Sequence, residues 1–349
     1  MVAASTLLEK YGNTFMQIEK DGFNISAKVY MVVEGENPVT SAKTIGLGLI
    51  ELATVFDNLK PDIVITIADR YETISTALVA ANMNIPLVHI QGGEVSGSID
   101  EKIRHSVTKL ADFHFVATSK ARERVIKMGE DKNRVFNTGC PSIDLAKKIL
   151  EDPKLDFNPV KKYGGVGTKV DLSKGYIIVI QHPVTNEYLR SKEQIRETLK
   201  AIKEIGINTL WFWPNADAGS DYTAKGIRAF REIEKPENIW FFKNMSPEDF
   251  LKLLYNSMGI VGNSSVALRE CSFLGVPAVN IGSRQSGRER GKNVINVDYK
   301  YDEIINAIKT HLKSGHYARE TIYGDGNAGE RIANLLAQLK FSLKEKISY

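Results

Sequence analysis

A short apolar strand is followed by a turn of small polar residues that could bind an anion. The strand is residues 259–262, and the Asn-Ser-Ser turn at 263–265 leads into a helix-spaced pattern that includes Glu270. Backbone N–H groups at a helix start, the positive end of the helix dipole and two hydroxyls suit a phosphate without a metal. Nineteen residues after the turn stands Arg284, whose guanidinium could hold phosphate oxygens in a fork. The pattern indicates a nucleotide site, although Ser and Asn are also ordinary helix caps.

A second group of reactive residues is acidic and lies in the first half of the chain. Asp69, Glu94 and Asp100 stand in loops near predicted strand ends, and glycines at positions 92, 93 and 97 let the backbone bend close to a ligand. Carboxylates that share a cleft push one pKa upward, which provides both a base and an acid at neutral pH. The pattern favours proton abstraction and return, although Asp100 could instead cap the helix that follows it.

Three further strand ends carry polar side chains whose roles the sequence leaves open. Arg70 could reach a ligand or pair with Asp69 at a helix start, and His182 could contact a ligand or lie in the core. Asn215 follows a third strand. In open α/β sheets ligands sit beyond the carboxyl ends of the strands, so these clusters predict a ligand in a cleft between two facing domains.

Apolar runs of strand length alternate with helical patterns through most of the chain, which indicates a parallel α/β architecture. Two prolines and a Gly-Gly pair within residues 151–174 predict a linker between two βα halves. The predicted domains are residues 1–152 and 153–326, and an amphipathic C-terminal helix in segment 327–349 is expected to pack across them. The predicted strands are residues 28–33, 62–68, 86–90, 112–117, 135–138, 176–181, 209–213, 239–242, 259–262 and 278–281, and the first predicted helices are 41–59, 70–81, 99–110 and 119–128.

The composition argues against several classes of protein. The chain has 349 residues and a formal net charge of +4, and its Lys and Arg residues are interspersed with Asp and Glu, so we expect no nucleic-acid partner. Its two cysteines, Cys140 and Cys271, do not form the pattern of a disulfide framework or a zinc site, which favours a reducing compartment. No apolar run approaches the length of a membrane span and residues 1–20 lack a signal-peptide pattern, so we expect a cytoplasmic protein without membrane contact.

Taken together, these motifs resemble the hydrolysing UDP-N-acetylglucosamine 2-epimerases, which open the sialic-acid pathways of bacteria and animals. The resemblance extends over nearly the whole chain and depends on the ordered combination of motifs more than on any one of them. The matching segments are residues 68–72, 89–105 and 138–142, Gln181-His182-Pro183, Asn215, and residues 262–270 and 283–290.

The resemblance implies an α/β fold of two Rossmann-like domains, similar to GT-B glycosyltransferases, with a UDP-sugar between them. The substrate contacts that it implies are Ser264, Ser265 and Arg284 for the diphosphate, Glu270 for the ribose, His182 and Asn215 for phosphate and nucleotide, and Arg70, His89, Gln91 and Arg104 from the first domain. It also implies a homodimer formed through helices of the first domain.

The implied reaction needs neither a metal nor a cofactor. A base removes the C2 proton of UDP-N-acetylglucosamine as UDP leaves C1, which gives a 2-acetamidoglycal. Water then adds at C1 while a proton returns to the opposite face of C2, and N-acetylmannosamine is released. The resemblance makes Asp69 and Asp100 the first proton carriers to consider and Glu94 the next, with His182 as a further catalytic residue.

The chain departs from the family pattern at two places. Relatives often carry a carboxylate two residues after the motif histidine, whereas this chain has Gln91, which cannot act as a base at neutral pH. The family also begins with a strand and a Gly/Thr/Arg-rich turn, so the sequence is expected to start one βα unit late. Absence of a central strand would leave its neighbours without a hydrogen-bonding partner. We expect a misassigned start in preference to a degraded paralogue of low activity.

Three rival functions stay open from the sequence. The same chemistry could act on a UDP- or GDP-linked diacetamido sugar of the legionaminate type. A retaining glycosyltransferase could use the same phosphate site but would need an acceptor. A non-catalytic nucleotide-sugar sensor would bind UDP without turnover.

Overall fold

The computed structural model describes residues 1–9, 12–35, 37–67, 70–168, 170–215 and 217–344. Contacts group the chain into two units, Met1–Asp144 with Tyr323–Tyr349 (unit 1) and Leu145–Ile322 (unit 2). The sequence predicted the changes of domain later, after residues 152 and 326. Asp152, which the sequence placed in the first domain, contacts Lys252 of unit 2 at 3.0 Å.

The strands of unit 1 are β1 (Val2–Ala3), β2 (Lys28–Val29), β3 (Val64–Ile67), β4 (Leu87–Ile90), β5 (Phe113–Val116) and β6 (Val135–Asn137). Within the described residues, β3 to β6 form a parallel sheet in the order β3-β4-β5-β6. Its helices are α1 (Phe15–Lys20), α2 (Pro38–Leu59), α3 (Thr73–Asn82), α4 (Ile99–Leu110), α5 (Ser119–Lys127), α6 (Pro141–Ile149), which continues into unit 2, and the C-terminal α13 (Ala328–Gln338).

Helices cover both faces of this sheet at its central strands β4 and β5, which are buried along their whole length, whereas one face of β3 is exposed. On one face, α2, α3 and α4 form a core that includes Leu52, Leu87 and Val107. On the other face, α13 packs Ile332 against Phe113 and neighbouring side chains of β4 and β5. The predicted C-terminal helix therefore exists and contributes to the core of unit 1.

The segment after α13 is anchored by a buried cluster of charges. Lys344 donates to a carboxylate oxygen of Glu130 at 2.9 Å, and Lys109 lies 2.5 Å from the other oxygen. His114 is 3.3 Å from Glu130, and both side chains are 1% exposed. Burial raises the pKa of Glu130, but the close contact with His114 and the hydrogen bonds from Lys109 and Lys344 outweigh this and lower it to about 2. The C-terminal segment is thus held by an ionised carboxylate.

The first two strands pair with each other in parallel, apart from the larger sheet. Among the described residues, β3 is an end strand, and its Ile65 and Ile67 are 42% and 56% exposed. The predicted strand at residues 28–33 is reduced to Lys28–Val29. An edge strand with exposed apolar side chains is unusual, because such edges invite pairing with another strand.

Helix α2 corrects one sequence-based expectation. Its 22 residues are long and apolar enough, by length and composition, to cross a membrane, so the expectation that no apolar run approaches that length was wrong. In the structure Gly48, Leu52 and Phe56 are buried on one face. Core helices of water-soluble proteins pass the same test.

Unit 2 contains a second sheet in the order β13-β12-β11-β8-β9-β10-β7, parallel except for the pairing of β7 with β10. Its strands are β7 (Val166–Gly167), β8 (Ile177–Ile180), β9 (Thr209–Phe212), β10 (Ile239–Phe242), β11 (Ile260–Gly262), β12 (Ala278–Ile281) and β13 (Val294–Val297). Its helices are α7 (Pro159–Tyr163), α8 (Ser191–Ile205), α9 (Ser220–Glu234), α10 (Pro247–Tyr255), α11 (Glu270–Leu274) and α12 (Tyr301–Ser314). Strands β8, β9 and β11 therefore lie side by side and present their carboxyl ends at one edge.

Candidate active site

The turn after β11 is built on a close approach between two strands. Gly262 has a φ of +137°, and a Cβ at this position would lie 1.9 Å from the carbonyl oxygen of Ile180 in β8. Glycine is therefore required for this contact. The next residue fastens the strand ends together, because the Asn263 side chain accepts from the His182 N–H at 2.7 Å and donates to the His182 carbonyl at 2.8 Å.

The helix predicted to follow this turn is interrupted. Residues Ser265–Ala267 form one 3-10 turn, and the α-helix begins only at Glu270 and ends at Leu274. Ser264 caps the 3-10 turn, since its hydroxyl accepts from the Val266 N–H at 3.4 Å. The sequence predicted that the dipole of the helix after the turn would help to bind an anion. Because the helix is interrupted, that prediction is wrong, and the turn offers hydroxyl and backbone N–H groups instead.

A guanidinium is held beside this turn by two acceptors. Arg284 donates from Nη1 to the Asn263 carbonyl at 3.4 Å, and its Nη2 lies 3.5 Å from a carboxylate oxygen of Asp217. Asp217 also accepts from the Asn215 side chain at 2.6 Å. The backbone N–H of Asn215 donates to His182 Nδ1 at 3.1 Å. In neutral His182 the proton is then on Nε2, which makes that nitrogen a donor.

The carboxylate of Glu270 lies near the end of the same segment. Glu270 is 9% exposed, and its buried Oε2 has no hydrogen-bond partner among the described residues. Ser264 is 8% exposed. A buried acceptor without a partner is costly in a folded protein, which is typical of a position that binds a ligand.

Sequence reasoning missed part of this cluster. Glu187 accepts from Ser283 and, at 2.6 Å, from Gln194. Burial raises the pKa of Tyr299, and the negative charge of Glu187 adds to the effect. Gln285 donates to the Asn263 carbonyl at 2.8 Å. No sequence signal placed Glu187 here, because it lies in an irregular 3-10 segment that shows no periodic pattern.

In unit 1 the loop after β4 is held by two arginines. Gln91 begins the loop with a φ of +62°, and its side chain is 8% exposed. Arg104 of α4 donates to the Glu94 carbonyl at 2.9 Å, and Arg124 of α5 donates to the Gly93 carbonyl. The Glu94 carboxylate, in a side chain 4% exposed, is therefore carried on a fixed backbone. Arg104 is 1% exposed, so it acts on this loop from within the fold.

The remaining predicted residues of unit 1 occupy different environments. Asp100 is at the first turn of α4 and accepts from the Ser98 hydroxyl at 2.8 Å. His89 is fully buried, and its Nδ1 lies 3.2 Å from the Thr108 hydroxyl of α4. Burial holds the pKa of His89 well below its ordinary value. Arg70 pairs with Glu72 at 2.6 Å.

Asp69, the first predicted proton carrier, lies outside the described residues. No group of three or more His, Cys, Asp and Glu residues that could hold a metal ion occurs in the described part of the chain. The structure thus brings one set of predicted residues together in unit 2 and places the other set in unit 1. The unit 2 set is His182, Asn215, Ser264, Ser265, Glu270 and Arg284, and the described unit 1 set is Arg70, His89, Gln91, Glu94, Asp100 and Arg104.

Solved structures share this fold. A Methanocaldococcus jannaschii UDP-GlcNAc 2-epimerase, solved in complex with UDP-GlcNAc and UDP, aligns with a TM-score of 0.77 at 19% identity, over 95% of this chain and 89% of that one. A Neisseria meningitidis UDP-GlcNAc 2-epimerase bound to UDP-GlcNAc aligns with a TM-score of 0.72 at 17% identity, over 97% and 98% of the two chains. The predicted GT-B-like α/β class is confirmed.

The sequence comparison is more specific. The family model of UDP-N-acetylglucosamine 2-epimerases matches residues 1–337, so the chain belongs to that family of nucleotide-sugar epimerases. A Legionella pneumophila protein, UDP-N,N'-diacetylbacillosamine 2-epimerase (hydrolyzing), is 34% identical over 93% of this chain and 84% of its own length. An Escherichia coli protein, polysialic acid biosynthesis protein P7, is 35% identical over 85% of this chain and 74% of its own length. The predicted resemblance is confirmed.

Proposed function

We propose that this chain is a hydrolysing epimerase that converts UDP-N-acetylglucosamine and water into N-acetylmannosamine and UDP, as a first step toward sialic-acid-type sugars. The observation that carries the proposal is the clamped loop after β4, where Arg104 and Arg124 fix the backbone that bears the buried Glu94 carboxylate. A fixed carboxylate in a site of low exposure is suited to moving a proton to or from carbon. The name of the Legionella relative, which includes the word hydrolyzing, supports the same chemistry.

Unit 2 supplies the groups expected to hold the leaving UDP. Arg284 and the hydroxyls of Ser264 and Ser265 would neutralise the diphosphate as the C1–O bond breaks, and Glu270 would accept from ribose hydroxyls. His182 would donate from Nε2 to a phosphate oxygen, because the Asn215 N–H occupies Nδ1. These contacts stabilise the negative charge that develops on UDP in the transition state, which is the main electrostatic need of the first step.

Proton transfer would be carried out by carboxylates of unit 1. We propose Asp69 and Asp100 as the first candidates and Glu94 as the next, because each belongs to a motif that the family shares with this chain. One carboxylate removes the C2 proton as UDP leaves, and the 2-acetamidoglycal then gains water at C1 and a proton at C2 from the opposite face. His89 and Gln91 would shape the sugar side of the site, and Arg70 would approach the nucleotide.

A second candidate substrate is a UDP- or GDP-linked diacetamido sugar. It is supported by the Legionella relative and by a Campylobacter jejuni relative at 31% identity, named GDP/UDP-N,N'-diacetylbacillosamine 2-epimerase (hydrolyzing). Release of the nucleoside diphosphate, UDP or GDP, should be measured with UDP-N-acetylglucosamine, UDP-N,N'-diacetylbacillosamine and the GDP-linked form of the latter, at equal concentrations. The proposal predicts the highest kcat/KM with the first. A higher value with either diacetamido sugar assigns the second substrate, and tight UDP binding without turnover of any of them contradicts both.

We propose that two chains associate through α2. Val39, Leu47 and Ile50 on its outer face are 64%, 41% and 67% exposed. In an antiparallel helix pair centred on Leu47, Lys43 of one chain would face Glu51 of the other, so the charges are complementary. Light scattering should show a dimer that Lys43→Glu dissociates and that the exchange Lys43→Glu with Glu51→Lys restores. A monomeric native chain contradicts the proposal.

The cellular location proposed here is the cytoplasm. Both cysteines, Cys140 and Cys271, are buried and form no disulfide, which is the expected state in a reducing compartment.

A further inference from the structure

The segment at residues 138–142 is one of the motifs that resemble the family, and the proposed reaction assigns it no role. It follows β6, and its central residue Cys140 is fully buried. The Gln91 side chain donates from Nε2 to the Cys140 sulfur at 2.9 Å. The segment therefore contacts the loop that carries the proposed chemistry.

Gln91 is held in a costly backbone conformation. A residue other than glycine with positive φ is strained and persists only when its surroundings fix it. The Gln91 N–H donates to the Phe115 carbonyl at 2.8 Å, which ties the strained residue to β5. The backbone thus sets the direction of the side chain, and the sulfur sets the rotation of its amide.

The orientation of that amide decides what Gln91 can offer to a ligand. Because the nitrogen is directed at Cys140, the planar amide directs Oε1 away from the sulfur. Oε1 is an acceptor only, so it pairs with an N–H or O–H donor. An N-acetylated sugar carries both kinds of donor, on its acetamido group and on its hydroxyls.

Cys140 is itself fixed by the chain as it re-enters unit 1. Its N–H donates to the Tyr323 carbonyl at 2.7 Å, and Tyr323 is the first residue of unit 1 after unit 2. Gly139 and Gly324 pack backbone to backbone, and a Cβ on Gly324 would lie 3.1 Å from the Gly139 Cα. The Ser142 hydroxyl is 3.1 Å from the sulfur. The acceptor for Gln91 therefore has little freedom to move.

We propose that Cys140 is a positioning residue, whose sulfur holds the Gln91 amide with its oxygen directed toward a donor group of the N-acetylated sugar. The inference rests on the proposed function, because it assigns a role within the same site. Cys140 does not touch the substrate, and it affects the reaction through its contact with Gln91. The contact ties the geometry of the sugar site to the point where the chain returns from unit 2.

The test is a double-mutant cycle on kcat/KM with the native chain, Gln91→Ala, Cys140→Ala and the double variant. A thiol sulfur is a weak acceptor, and a typical intramolecular hydrogen bond contributes about 0.5–1.5 kcal/mol, so Cys140→Ala should lower kcat/KM by at least about twofold and by no more than about tenfold. In the Gln91→Ala background the same change should have less than a twofold effect. Cys140→Ser should keep most of the activity, because a hydroxyl accepts from the amide as a sulfur does. Val135→Ala, at the start of β6, is the control for a cavity of similar size.

Equal losses from Cys140→Ala in both backgrounds would overturn the inference, because the residue would then act through general packing. A Cys140→Ser variant as impaired as Cys140→Ala would also overturn it. A native chain that turns over no sugar nucleotide refutes the proposed function separately. In that case the unfolding midpoints of the same four proteins test the Gln91–Cys140 contact. Non-additive shifts of the midpoint would support the contact, and additive shifts would exclude it.

Discussion

Replacement of Arg284 tests the proposed phosphate site most sharply. Its two guanidinium nitrogens lie 3.4 Å from the Asn263 carbonyl and 3.5 Å from the Asp217 carboxylate, so the group is already held in place. A hydrogen bond to a charged group contributes about 1.5–3 kcal/mol, which corresponds to about a ten- to hundredfold change in Kd. We therefore expect Arg284→Ala to weaken UDP binding by that factor. Arg284→Lys should recover only part of it, because the ammonium keeps the charge and loses the fork.

The assay is calorimetric titration with UDP and, separately, with uridine. Uridine lacks the phosphates, so its affinity should change less than twofold in the Arg284 variants. Arg231→Ala removes a positive charge from the last turn of α9 in the same unit and is the matched control. A folded Arg284→Ala protein that binds UDP as tightly as the native chain would refute the assignment. Equal losses for UDP and uridine would show that the arginine shapes the site and does not bind phosphate.

Three further predictions concern residues with defined surroundings. Gly262→Ala should lower the unfolding free energy by more than about 3 kcal/mol, because its Cβ would lie 1.9 Å from a carbonyl oxygen, whereas Gly206→Ala, with open space around it, should cost about 1 kcal/mol in the same denaturant titration. The lowered pKa of Glu130 means that its stabilisation of about 3 kcal/mol is present above pH 4.5 and is lost as the pH falls toward 2, so denaturation midpoints should fall over that range in the native chain and less in Glu130→Gln. Glu270→Gln should weaken UDP about tenfold and leave 2′,3′-dideoxy-UDP nearly unchanged in calorimetry, and equal effects on both would contradict ribose recognition.

Much of the fold could be predicted because the buried parallel strands have a strong apolar signal. The strands at 239–242 and 278–281 and the helix at 99–110 agree with the structure at both ends. Strand β13 was missed, because its residues Val294–Val297 are mostly only partly buried and include the exposed Asn296. The helix after Ser265 was predicted as continuous, and a break at Arg269, with φ −91° and ψ −79°, divides it.

The candidate site was predictable in its residue types and less so in its contacts. The strand ends predicted Asn215, His182 and the 263–265 turn as site residues, because ligands bind at that edge of such sheets, and hydrogen bonds join His182 to Asn215 and Asn263 in the structure. The sequence could not show that the Asn263 side chain joins the end of β11 to the end of β8, because the local sequence pattern does not predict the order of strands in a sheet. The contact of Gln91 with Cys140 could not be predicted either, because it joins residues that are 49 positions apart in the sequence.

The most direct test of the proposed reaction is to incubate the purified chain with UDP-N-acetylglucosamine in deuterated water and to follow the products by proton NMR. The proposal predicts free N-acetylmannosamine with deuterium at C2, together with UDP, and loss of both products in an Asp100→Asn control. Release of a sugar that keeps its original C2 proton would contradict proton abstraction at that carbon. Unchanged substrate in the presence of folded protein would contradict the assignment of UDP-N-acetylglucosamine as the substrate.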